Sequence, residues 1–195
     1  PLLERARAAL ETHHDSFELR DRVALADFSL ASRELRFHIV DLIGGQNTSY
    51  LVAHGKGSDP EHSGWLQTFS NEPNSLATSD GAFKSGEIYE GVHGQSMRLL
   101  GLEPCNSNAE ARAIVIHGAD YVDPTWIKAH GRIGRSLGCP AVRQQVVRQV
   151  VDNLKGGQLV FTYYPDRNWL ESSNYLNCQH QTALLPNSHS VDSDS

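Results

Sequence analysis

Several things are scarce in this chain, and each scarcity removes a class of function. No apolar run approaches the roughly 20 residues needed to cross a bilayer; stretches such as 113–116 and 159–161 stop within a turn or two. No membrane-spanning segment is expected. Basic residues are outnumbered, 17 Lys and Arg against 23 Asp and Glu for a formal charge of −6, so nucleic acid and anionic lipid find no electrostatic footprint. Ten His and three Cys are present, yet no Cys-x-x-Cys or His-Glu-x-x-His pair occurs, which argues against a zinc site. A Gly-x-Ser-x-Gly elbow and a phosphate-cradling Gly-rich loop with Lys are missing as well. No metal and no cofactor is expected. The chain opens on Pro1 and lacks a basic and then apolar start, so any targeting segment is expected to lie outside these residues.

What remains is a chain of 195 residues, 39% hydrophobic, enough for one buried core. Leu2, Leu3, Ala6, Ala9 and Leu10 recur at helical spacing, which predicts an amphipathic helix docked on the main body. From Arg22 the period changes to two, with Leu35, Phe37 and Ile39 on one face and Arg36 and His38 on the other. Strand patterns follow at 48–53, 82–89, 97–102, 112–117 and 158–164, each flanked by Gly, Pro or Asn. The stretch 55–78 reads as a long loop, a candidate substrate-side flap. One internal helix is predicted, from the stripe Val142, Val146, Val147, Val150, Val151 and Leu154, with Pro140 in its first turn and Gly156-Gly157 as its stop. The expected organisation is a helical extension over 1–21, a mainly β domain over 22–170, and a partly disordered tail over 171–195.

The run from Gly134 to Val142, Gly-Arg-Ser-Leu-Gly-Cys-Pro-Ala-Val, carries the chemistry. On this reading Cys139 sits at a helix N-terminus, where unpaired N–H groups and the helix dipole favour the attacking thiolate. Arg135 and Arg143 add positive charge nearby in sequence. Gly138 lets substrate approach the backbone, and the N–H groups of Leu137, Gly138 and Cys139 can converge on a developing oxyanion. His117, at the end of an apolar strand, is the candidate base; Gly118 lets the chain turn, and a backbone carbonyl there can fix the imidazole tautomer. His93, in Tyr89-Glu-Gly-Val-His-Gly, fits either the substrate cleft or an ordinary loop hydrogen bond. His54 reads as structural. Trp65, Phe69 and Trp126 can line a groove or simply pack. Cys105 and Cys178 either pair, leaving Cys139 over, or all three are thiols.

Ile116-His117-Gly118 followed by Ser136-Leu-Gly138-Cys139-Pro140 resembles the His-Gly and Ser-x-Gly-Cys signature of YkuD-type L,D-transpeptidases, in the murein L,D-transpeptidase catalytic domain branch. Val52-Ala-His-Gly-Lys-Gly57, Gly91-Val-His-Gly94 and Arg112-Ala-Ile-Val-Ile-His-Gly-Ala-Asp120 look like the same branch. The resemblance implies a small β-sandwich-like domain with a helix following the cysteine. It implies that Cys139 is acylated by a peptidoglycan tetrapeptide stem, cut between its third and fourth residues, and that an amine of a second stem releases it as a 3-3 cross-link. Water as acceptor would make a carboxypeptidase; a catalytically silent peptidoglycan-binding module is the other alternative. By the same resemblance His117 is the base, Gly118 orients it, and Ser136, Leu137 and Gly138 form the loop around the thiol. Substrate-binding residues are then sought among His93, Tyr89, Arg135 and Arg143, carbapenem sensitivity is implied, and the address is the periplasm or cell envelope. The chain departs from the wider family at Leu137, where a second His is common, and at Ala141, where Arg is. Cys105 stands where the branch would carry Gly.

Overall fold

The computed structural model describes residues 2–164, so the tail boundary at 170 and any pairing of Cys178 lie outside the described residues. The order of elements is α1 (Leu2–Thr12), β1 (Arg22–Asp27), β2 (Phe37–Asp41), β3 (Asn47–Tyr50), β4 (Val52–Ala53), β5 (Gly81–Gly91), β6 (Gly94–Gly101), β7 (Val115–Ala119), α2 (Pro124–His130), β8 (Ala141–Arg143), α3 (Val147–Leu154) and β9 (Leu159–Tyr163). The strands form one nine-stranded sheet in the order β3-β2-β1-β9-β5-β6-β7-β8-β4. β1 with β9 and β7 with β8 run parallel, and the other pairs antiparallel. The two outermost strands, β3 and β4, are separated in sequence by Leu51 alone. The sheet therefore curls until its edges nearly meet, which is the form the expected sandwich-like domain takes.

Alternation along the strands sorts side chains into two sets. Met97 and Leu99 of β6, Ile116 of β7 and Val142 of β8 face a core shared with Phe28, Phe37 and Phe83. α3 packs on that core through Val147, Val150, Val151 and Leu154, the i, i+3, i+4, i+7 stripe of an amphipathic helix, each side chain contributing about 1.5–3 kcal/mol by burial. α1 buries Ala6 and Leu10 against Val23, Leu25 and Phe161 on the other face of β1 and β9. A third cluster joins Leu51, Ala53, Ala119, Val122, Ile133 and Ala141, with Ile127 of α2 against it. His117 alternates with Ile116, so it shares the face of Ala119 and Ala141.

Two expectations need correction. The chain after Pro140 is not helical: β8 occupies 141–143, and α3 begins only at Val147. Val142 fits the helical stripe by spacing, but its register with Gly118 of β7 puts it in the sheet. Nor does the chain turn at Gly118; β7 continues through Ala119. α2, which sequence patterning missed, is capped by Asp123, whose carboxylate accepts the Thr125 N–H, and stopped by Gly131 at φ +69°. No helix among the described residues is long and apolar enough to cross a membrane.

Candidate active site

The parallel ladder of β7 and β8 pairs His117 with Ala141 and Gly118 with Val142. Two residues back from Ala141, Cys139 comes level with Val115, one side-chain period from His117 on the neighbouring strand. The Cys139 thiol points to the Ala113 carbonyl, 3.7 Å from Sγ, and the Val115 N–H is turned toward the sulfur. The sheet thus sets Cys139, in the loop just before β8, next to the strand that carries His117.

His117 is buried, and its Nδ1 donates to the Gly118 carbonyl at 2.9 Å, leaving Nε2 as the acceptor nitrogen. Its pKa is pushed down by burial, with the neighbouring His93 in the same direction and the Gly118 carbonyl opposing. Gly118 serves packing too: a Cβ there would lie 2.8 Å from the Gln144 Cδ and 3.1 Å from its Cα. His93, on the exposed tip between β5 and β6, stacks on His117 with ring centroids 4.4 Å apart. Of the two roles open to it, a place at the cleft is the one this position suits.

The cysteine loop is held by Ser136, whose hydroxyl donates to the Cys139 carbonyl at 2.5 Å and accepts the Gly138 N–H at 3.1 Å. One of the three N–H groups proposed for an oxyanion is therefore engaged inside the loop. Gly138 has φ +125°, a conformation that excludes side chains. Leu137 is exposed at the loop tip. No helix end lies behind the thiol; burial pushes its pKa above the ordinary cysteine value, while the Val115 N–H and Arg112 pull it down. The positive charge at the sulfur comes from Arg112, and not from the two arginines near in sequence. Arg143 is spent on Asp123, at 2.7 and 3.0 Å, and Arg135 donates to the carbonyls of Asp59 and Pro60. Tyr89 is level with Ser96, and Ser96 with His117. That places Tyr89 two strands from His117, about 10 Å by strand spacing, with the Arg98 guanidinium 4.8 Å above its ring.

Residues that sequence reasoning passed over complete the site. Tyr121 packs over Gly134, and its hydroxyl is pushed up to about 12, first by burial and then by the nearby Cys139. Arg112 donates to the carbonyls of Ser70 and Ala77 and to the hydroxyls of Ser79 and Ser75, tying the 70–79 segment to the turn before β7. Between these two segments lies an open cleft of about 310 Å³ lined by Pro73, Asn74, Leu76, Ala111, Arg112, Ala113 and Leu137. Asn74, Leu76 and Ala113 all have positive φ, 62°, 57° and 53°; for Leu and Ala each costs about 1–3 kcal/mol and such strain gathers at functional sites. The Ala113 carbonyl that meets the sulfur belongs to one of them. Of the aromatic candidates, Phe69 is buried in the core, Trp65 is exposed, and Trp126 stands on α2 beside His130. Among the described residues no group of three His, Cys, Asp or Glu side chains is placed to hold a metal ion.

No curated protein matches the chain. Among solved structures it is similar to an L,D-transpeptidase from Mycobacterium smegmatis at 12% identity, covering 73% of this chain and 58% of that one with a TM-score of 0.45. It is also similar to the L,D-transpeptidase LdtMt1, solved in complex with imipenem, at 12% identity, 73% and 59% coverage and TM-score 0.45. A third is the helical cell shape determining protein Pgp2 from Campylobacter jejuni, at 13% identity, 83% and 55% coverage and TM-score 0.49. The chain spans less than two thirds of the length of each of these. The family model for the L,D-transpeptidase catalytic domain matches residues 1–163, and on that match the chain belongs to the L,D-transpeptidase catalytic domain family.

Proposed function

We propose that this domain is a cysteine L,D-transpeptidase acting on peptidoglycan stem peptides in the cell envelope, with Cys139 as nucleophile and His117 as base. The observation that supports the reading is the pairing of β7 with β8, the strand that Cys139 leads into, together with the bond from His117 Nδ1 to the Gly118 carbonyl, which leaves Nε2 as the nitrogen available to take a proton. In the first step Sγ attacks the carbonyl carbon between the third and fourth stem residues as its proton passes to His117 Nε2. The carbon–nitrogen bond then breaks, the proton goes to the leaving amine, and a thioester remains on Cys139. The amine of a second stem attacks that thioester, loses a proton to His117, and releases Cys139 as a thiol carrying it. The N–H groups of Leu137 and Cys139 are assigned to the developing oxyanion, because that of Gly138 is engaged by Ser136. The cleft along 73–76 and 111–113 is assigned to the stem peptide.

Intact-mass measurement after incubation with imipenem, or with a tetrapeptide muropeptide, tests this reading. The wild-type chain is expected to gain a covalent mass that Cys139→Ala abolishes and that His117→Gln slows by about 10²–10⁴-fold. A wild-type protein that stays unmodified by both reagents overturns it. Appearance of a 3-3 linked product in preference to the shortened stem distinguishes amine from water as the acceptor.

A further inference from the structure

Behind the cysteine loop runs a line of ionisable side chains that the proposed reaction does not use. Arg36 is wholly buried, its Nη1 donating to the Leu30 carbonyl at 2.8 Å, its Nε and Nη2 to the Val52 carbonyl at 3.1 and 2.9 Å, and its Nη2 to His54 Nδ1 at 2.8 Å. Because arginine only donates, Nδ1 of His54 is the acceptor and Nε2 carries the hydrogen. That hydrogen is directed to Asp59 Oδ2, 3.3 Å away. Asp59, also wholly buried, accepts in addition from the Ser63 N–H and hydroxyl and from the Gly64 N–H. Every member of the line is thus fixed in rotamer and tautomer.

Burying such a line is costly, and well-packed apolar side chains would serve stability as well, so its place in the fold is the informative feature. Its backbone is where the cysteine loop is fastened. The His54 carbonyl accepts the Ser136 N–H at 3.0 Å, the Lys56 N–H donates to the Ser136 carbonyl at 2.9 Å, and the Asp59 and Pro60 carbonyls accept from Arg135. Ser136 in turn holds Gly138 and Cys139.

We propose that Arg36, His54 and Asp59 are positioning residues for Cys139: they fix the backbone of 54–60, and that backbone sets the loop from Arg135 to Cys139. None of the three touches the substrate. The inference rests on the reading of Cys139 as the acylated residue, and its test separates the two.

The test compares Asp59→Asn and His54→Gln with wild type, and uses Asp41→Ala as a control that removes two hydrogen bonds from the β2–β3 turn, to Ile43 and Gly44. Amide hydrogen exchange at Ser136 and Lys56 and the rate of acylation by imipenem are both measured where each variant is folded. Asp59→Asn is expected to speed exchange at both amides at least tenfold and to slow acylation at least tenfold. His54→Gln, which can still accept from Arg36 and donate to Asp59, is expected to show at most half of each effect on a logarithmic scale, and Asp41→Ala leaves both within twofold of wild type. Wild-type exchange and acylation in Asp59→Asn, or equal changes in Asp41→Ala, overturn the inference. Should Asp59→Asn not fold, Ser63→Ala removes one hydroxyl donor from Asp59 and carries the same comparison, with about a threefold change expected and none overturning it. If wild type is not acylated but exchange responds as stated, the positioning stands and the catalytic reading falls.

Discussion

Gly55→Ala puts the assembly of the site to a direct test, because three of its segments meet at that residue. A Cβ on Gly55 would overlap the Leu76 carbonyl oxygen and lie 2.8 Å from the Gly138 Cα and 2.9 Å from the Gly138 nitrogen. Carbon atoms pack at about 3.5–4.0 Å, so the loop or the 74–76 segment must retreat by about 1 Å. Neither is a flexible side chain that can swing aside: both contacts are backbone, and Gly138 already sits at φ +125°. The expected loss of stability is that of an overpacked site, about 1–3 kcal/mol. A misplacement of about 1 Å at a reacting group can cost about 10²-fold in rate. Imipenem acylation followed by intact mass, run beside a urea unfolding curve, reads both. A Gly55→Ala protein that is acylated at the wild-type rate would refute the placement of Cys139 against residues 54–55, whatever its stability.

Two titrations add to this. His54 is held to about 4 by burial, with Arg36 adding to the effect and Asp59 opposing it. A folded value below the ordinary 6.5 means that its stability contribution is full above pH 6.5 and is lost as pH falls toward 4; the loss is about 1.4 kcal/mol per pH unit and roughly 3 kcal/mol in all. Urea midpoints between pH 4 and 7 should therefore fall more steeply for wild type than for His54→Gln, and equal slopes would exclude this origin. For Cys139, a thiol raised by burial is alkylated by iodoacetamide at pH 7 more slowly than free cysteine, of which only about 3% is thiolate there, and its rate keeps rising past pH 8.5. A plateau below that pH would mean an activated thiolate at rest.

How much of this was legible beforehand depends on the range of the interaction involved. Phe37 and Ile39 alternate with the half-buried His38 because one side of β2 is core, a local signal that survives in sequence, whereas Arg36, grouped with His38, is buried before the strand and Leu35, grouped with Phe37, is exposed. Cys139 and His117 stood out by their Gly and Pro neighbours. The helix expected at Cys139 failed for a physical reason: Val142 and Val147 belong to the same core, one from a strand and one from a helix, and spacing alone cannot separate two elements that bury onto one surface. Arg112 and Tyr121 come to the sulfur only through the pairing of β7 with β8 and the packing of Tyr121 on Gly134, and a linear pattern carries no trace of that. Asp59 was missed likewise, because its four donors lie on segments that have no regular periodicity.

The corrected electrostatics change what the site must do at rest. Burial raises the Cys139 thiol and lowers the His117 imidazole, so one cause moves both groups toward their neutral forms and the resting pair is thiol and imidazole, with the proton on sulfur. A helix end would have favoured thiolate and imidazolium before substrate arrived; here Arg112 and the Val115 N–H oppose desolvation and do not overcome it. In the proposed reaction, proton transfer to Nε2 is then coupled to attack on the carbonyl, when negative charge begins to leave the sulfur for the oxyanion. His93 acts on the same balance. Its ring, stacked 4.4 Å from that of His117, pushes the His117 pKa further down. In the proposed reaction it therefore keeps the base neutral to lower pH, and His93→Ala should raise the His117 pKa and move the acid limb of acylation to higher pH while leaving the rate at high pH within a few-fold of wild type. An acylation profile in His93→Ala that superimposes on the wild type would remove His93 from the proton balance.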